Sequence, residues 1–170
     1  MMKFLTILFL TTISFAGNTQ SNIETLLRDA KEFNASFLQK DFEKHVDYTV
    51  SYVVDLAGGR DLMADNVKAM YDMMTQGGTQ YESIEALEPG EIITAGKELH
   101  TILPQKVINK YGDTRFSKTG YFLAVSQNDG KSWTFLDLEP YDVKSLKTFV
   151  ISWTGELEVP EVDIPQLIED

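Results

Sequence analysis

Any chemistry in this chain has to run on two histidines, a scatter of carboxylates and tyrosines, and no thiol at all. His45 lies between Lys44 and Val46 in a helical stretch, where a surface or half-buried imidazole is the simplest reading. His100 lies between Leu99 and Thr101 in an extended stretch, so its ring is expected to project into the space between a sheet and its helices. Asp137, at the end of the last strand, is suited either to orient an imidazole or act as a base, or to be held by strand-end backbone amides. No Gly-x-Ser-x-Gly elbow is present, and glycine doublets Gly58-Gly59 and Gly77-Gly78 do not form a phosphate-cradling loop. Without cysteine, and with histidines far apart, a zinc site lacks its usual ligands. Calcium lacks its run of alternating oxygen ligands on one loop. Asn34-Ala35-Ser36 matches a glycosylation sequon but falls in a helical stretch. The residues therefore assign no catalytic group, no metal and no cofactor.

Charge narrows the partners. The 170 residues hold 26 acids against 15 Lys and Arg, a formal charge of −11. Such a surface repels nucleic acid and anionic lipid headgroups, so neither nucleic acid nor membrane is expected as a partner. The first residues carry an address. Lys3 precedes a compact apolar run from Phe4 to Phe15, too short for a bilayer span, and Ser14 and Ala16 put small residues where a signal peptidase reads. We read residues 1–16 as a signal peptide cleaved after Ala16, residues 17–154 as one domain, and 155–170 as an extended acidic tail. The mature protein is then secreted or periplasmic. A secreted domain without disulfides has to rely on its core for stability.

The elements that must position these groups follow from periodicity. Ser21 and Glu24 read as a capping box, followed by Ile23, Leu26, Leu27, Ala30, Phe33, Phe37 and Leu38 at helical spacing. Asp41 begins a second short helix with Phe42 and Val46. Tyr48 to Ala57 fits strand or helix, with helix preferred because Gly58-Gly59 reads as a helix stop. Met63, Val67, Met70 and Met74 mark the inner face of another helix, ended by Gly77-Gly78. Beyond Gly78 the chain turns to β-branched and aromatic residues, broken by Pro89-Gly90, Gly96-Lys97, Gly112-Asp113 and Asp129-Gly130. Strands are expected near 79–88, 91–96, 98–110, 115–126 and 131–138, joined as antiparallel hairpins. Asp142 should cap a C-terminal helix with Val143, Leu146, Phe149, Val150 and Trp153 on one side. The whole is an α+β domain: N-terminal helices packed on a curved antiparallel sheet, with a C-terminal helix.

Two short motifs stand out. Ser126-Gln127-Asn128-Asp129-Gly130-Lys131-Ser132-Trp133 resembles the Asp-box hairpin of sialidases, a folding element in which Asn and Asp side chains bond back to turn amides. Asn128 stands where that motif usually has Asp. Together with Gly58-Gly59-Arg60, the Gly130-Lys131-Ser132-Trp133-Thr134-Phe135 hairpin resembles small secreted members of the nuclear-transport-factor-two-like superfamily. That resemblance covers roughly residues 21–153 and implies the cone-shaped fold of ketosteroid isomerases and polyketide cyclases.

A cone implies a cavity. Phe33 and Phe37 of the first helix, with His100 and Tyr121 from the strands, are the candidate ligand-binding residues. Such a vessel suits a small apolar molecule, and the leading expectation is a non-catalytic extracytoplasmic domain that binds such a ligand or a protein partner. The superfamily also allows an isomerase, cyclase or dehydratase with His100 or Asp137 as base and a tyrosine as electrophile. A third reading is an assembly subunit that forms a homodimer through the sheet face. The methionines at 63, 70, 73 and 74 would suit an adaptable binding surface, but Met63, Met70 and Met74 lie on the helix's apolar stripe, which favours core packing.

Overall fold

The computed structural model describes residues 16–161 and 163–169. The signal-peptide reading falls almost wholly on residues 1–15, outside the described residues. The chain is α+β: four helices, α1 (Ala16–Leu38), α2 (Phe42–Asp47), α3 (Ser51–Leu56) and α4 (Arg60–Gln76), precede the sheet. Strands β1 (Thr79–Ala86), β2 (Ile93–Ala95), β3 (Glu98–Tyr111), β4 (Thr114–Ser126) and β5 (Thr134–Asp137) follow, and β6 (Gln166–Leu167) closes the chain. Among the described residues, no helix is long and apolar enough to cross a membrane.

The first helix passes straight through the expected cap. Ser21 and Glu24 are exposed interior residues of α1, because α1 already begins at Ala16 and their amides are not orphan donors. Asp41 does cap α2, accepting the Lys44 amide at 3.1 Å. Tyr48 to Ala57 divides: Thr49 bridges Phe135 in parallel, and α3 begins at Ser51. Gly58 and Gly59 follow with φ of 93° and 103°, the left-handed conformation that ends a helix without a side-chain clash.

The sheet runs in the order β1-β3-β4-β5, antiparallel throughout, with β2 on the start of β3 and β6 on the start of β4. It curls into a half-barrel compatible with a cone-like fold. Alternation along β3 and β4 divides the core in two. Leu103 and Ala124 meet Leu26, Ala30 and Phe33 of α1, with Trp133 and Phe135. Ile102, Leu123 and Val125 point the other way, to Val50 and Val53 and to Leu146, Val150 and Trp153. Burial on both faces is why these strands read as continuous apolar runs. A third cluster joins Phe37 of α1 to Val67 and Tyr71 of α4, with Tyr81 of β1 against it.

The expected C-terminal helix forms only a 3₁₀ helix, Val143–Thr148. Asp142 caps it as read, accepting the Lys144 amide at 3.0 Å, but Ser145 and Thr148 turn their hydroxyls onto the carbonyls of Asp142 and Ser145. Those side chains compete with the α-helical pattern, and the segment is too short to overcome them. Leu146, Val150 and Trp153 are nevertheless buried, so the segment lies as a strap across the second sheet face.

Candidate functional site

The four residues expected to share one pocket are divided by the sheet. Phe33 and Phe37 belong to the α1 side. Phe33 packs on Phe135 at 5.1 Å between ring centroids, and Phe37 on Tyr71 at 5.2 Å and Tyr81 at 5.1 Å. His100 pairs with Val125 and so faces the strap, not α1. Tyr121 shares that face but lies four residues from Val125 along β4, about 13 Å away at strand rise. Between α1 and the sheet the space is filled by side chains. Two open clefts lie on the surface, one bordered by Asn22, Thr25 and Lys131, the other by Phe42, Asp65 and Lys68. Neither is lined by any of the four expected residues.

His100 has a carboxylate, but not Asp137. Asp137 pairs with Phe122, on the opposite face of the sheet, and its Oδ1 accepts the Glu139 amide at 2.9 Å. It is thus a strand-end residue held by backbone. Neighbouring atoms crowd it although it stays substantially open to water, and that desolvation raises its carboxyl above the ordinary range.

Glu98, two residues before His100 and therefore on the same face of β3, supplies the partner. Its Oε2 takes His100 Nε2 at 3.0 Å and also the Ser152 hydroxyl from the strap, while its Oε1 accepts Gln127 Nε2 at 2.7 Å. Burial alone would raise Glu98, but the hydrogen bonds from Ser152, His100 and Gln127 outweigh it and hold the carboxyl below its usual range. His100 is fully buried, and Trp153 stacks over its ring at 6.4 Å and 22°. Serine, histidine and glutamate here do not make a nucleophilic relay. Ser152 Oγ lies 3.3 Å from the same Nε2 that Glu98 occupies, and His100 Nδ1 is buried with no hydrogen-bond partner among the described residues. A relay needs the carboxylate on the far nitrogen, so that the near one can take the serine proton. This cluster instead ties the strap to the sheet. The Tyr52 hydroxyl faces the same side; burial first, and the Glu98 charge second, push its pKa up.

His45 is a buried packing residue. Its ring stacks on Phe33 at 4.0 Å and 21°, and its Nδ1 donates to the Phe33 carbonyl at 3.1 Å. Burial depresses its pKa to about 4, so the imidazole is neutral at ordinary pH.

The methionine stripe is a correction. Met70, Met73 and Met74 are 47%, 65% and 37% exposed, while Ala64, Val67 and Tyr71 face inward and Met63 is half-buried. At 100° per residue, Leu62, Ala69 and Met73 lie within about 20° of one line, nearly opposite the buried face, with Met70 about 80° to one side. On the other flank stand Asp61, Asp65 and Asp72, about 60–100° away. Asp72 is paired with Lys68, whereas Asp61 and Asp65 have no ion pair among the described residues. Leu62 is 54% exposed, and Leu56 at the end of α3 is 70% exposed. Sequence reasoning missed this face because Met63, Val67, Met70 and Met74 fit a helical period by themselves. Ala64 and Tyr71, the residues that seat the helix, carried the competing signal.

No cluster of metal-ligating side chains occurs among the described residues. No family model, curated protein or solved structure matches this chain.

Proposed function

We propose that this chain is a non-catalytic extracytoplasmic domain that binds a protein partner through the outer face of α4. The observation that carries the reading is the exposure of Leu62 and Met73 on the line opposite the helix face already satisfied by Ala64, Val67 and Tyr71, with Met70 also exposed to one side of it. Apolar side chains set together on the outside of a helix favour docking, and methionine adapts its shape to what it meets. The filled space under α1 favours a surface contact over an internal ligand. Export is supported by Lys3, the short apolar run and the small residues at Ser14 and Ala16.

The test is photocrosslinking in the producing cells. A photoreactive residue in place of Ala69 should give a discrete covalent adduct with another polypeptide, while the same residue in place of the exposed Lys106 gives none. Equal labelling from both positions, or a Tm raised by apolar small molecules with no adduct from position 69, would overturn this reading.

A further inference from the structure

We infer that the partner of the α4 face is a basic amphipathic helix, an apolar ridge flanked by Lys or Arg; this rests on the docking reading above. Leu62, Ala69 and Met73 span about 16 Å of helix, three turns, with the exposed Asn66 between Leu62 and Ala69, and that length matches the footprint of a second helix laid along it. One flank of that row is acidic. Asp61 and Asp65 are exposed and lack an ion pair among the described residues, and Asp72 stands about two turns beyond Asp65. The nearby cations are engaged: Lys68 pairs with Asp72, Arg60 pairs with Asp47 at 2.8 Å and Glu43 at 3.4 Å, and Lys40, which borders the same cleft as Asp65 and Asp72, lies over the Tyr71 ring at 5.2 Å. Asp55, at the end of the preceding helix α3, is also exposed without an ion pair among the described residues and adds to the protein's negative field.

Charge selects among occupants. A second copy related by a two-fold axis, with its α4 antiparallel, would set one acidic row against the other, in a chain whose formal charge is −11. An anionic lipid surface meets the same repulsion. A helix with Lys or Arg beside its apolar ridge satisfies both the exposed side chains and the unpaired carboxylates. Its cations would steer the encounter, and its apolar ridge would hold the complex against Leu62, Met70 and Met73.

The experiment titrates the full protein, labelled at its methionine methyls, with three synthetic probes: a leucine-faced helical peptide flanked by lysine, its glutamate-flanked counterpart, and vesicles containing phosphatidylserine. The lysine peptide should shift the Met70 and Met73 signals saturably and bind more weakly as salt rises. Asp61→Asn with Asp65→Asn should weaken it roughly tenfold, as loss of two exposed charge pairs predicts, without altering the thermal midpoint by more than a few degrees. Met73→Ser should weaken it independently of salt. Equal binding of the glutamate peptide, lost with Met73→Ser, would overturn the basic partner yet leave the docking face standing. Binding to the vesicles, self-association abolished by Met73→Ser, shifts confined to other residues, or no binding of the lysine peptide would each overturn the inference. The Ala69 crosslink decides the docking reading separately.

Discussion

The carboxylate of Asp29 in α1 accepts the backbone amide of Trp133 at 2.9 Å, across 104 residues of sequence. Around that bond the hairpin after β4 is locked to the first helix. The Trp133 indole donates to Thr25 Oγ1 at 3.2 Å, and Ser126 Oγ accepts the Gly130 amide at 2.9 Å. Gly130 has φ of 81°, and a Cβ there would fall on the Asn22 amide.

This arrangement predicts that the hairpin is a main source of stability. Trp133 is 1% exposed, so Trp133→Ala should cost about 3–5 kcal/mol. Asp29→Ala leaves a buried amide without an acceptor and should cost about 2–3 kcal/mol. The two losses should fall short of additivity in a double-mutant cycle, because they remove one joint. Gly130→Val should destabilise as well. Denaturant melts check all of these, and values within about 0.5 kcal/mol of wild type would mark the hairpin as peripheral.

His45 sets a pH dependence. Its folded pKa is about 4 against an ordinary 6.5, so the unfolded chain binds its proton first. Its contribution is fully present above pH 6.5 and is lost as pH falls towards 4, amounting to about 3 kcal/mol. Glu98, whose folded pKa is lowered, adds a further loss only below about pH 4.5, the ordinary value. His45→Gln should flatten the loss between pH 6.5 and 4 and leave the more acidic limb. Denaturant midpoints measured across that range check it, and an unchanged slope in the variant contradicts it.

The Glu98 cluster predicts a local opening. Glu98→Gln should release the strap before the sheet, raising amide exchange across residues 143–153 while β3 and β4 stay protected. Ser152→Ala removes the strap's own hydrogen bond to that carboxylate and should act in the same direction at least as strongly, while His100 and Gln127 keep Glu98 in place on the sheet. Exchange rates unchanged across the strap would show that apolar contacts from Leu146, Val150 and Trp153 hold it alone.

Local signals were the readable ones. Asp41 before α2, Asp142 before the 3₁₀ helix and the glycine turns between strands act within a few residues, and the helix-then-hairpin order follows from them. What escaped reading depends on distant parts of the chain. Glu98 and His100 share a strand face by simple alternation, but nothing local marks Ser152 as their third partner, 54 residues from Glu98. The ring of His100 was expected under the helices; a strap whose burial is not periodic enough to announce itself covers the other sheet face instead. Met70 and Met74 were expected inward because helical spacing alone does not say which of two apolar stripes on one helix is seated. Only Ala64 and Tyr71, packed on their neighbours, decide that.

The central claim is that the protein works through the outside of α4, and crosslinking from position 69 in a Leu62→Ser, Met73→Ser background tests it most directly. Both side chains are exposed, so stability should stay within about 0.5 kcal/mol of wild type. The account predicts that the partner adduct disappears from this folded variant. An adduct of undiminished yield would contradict it.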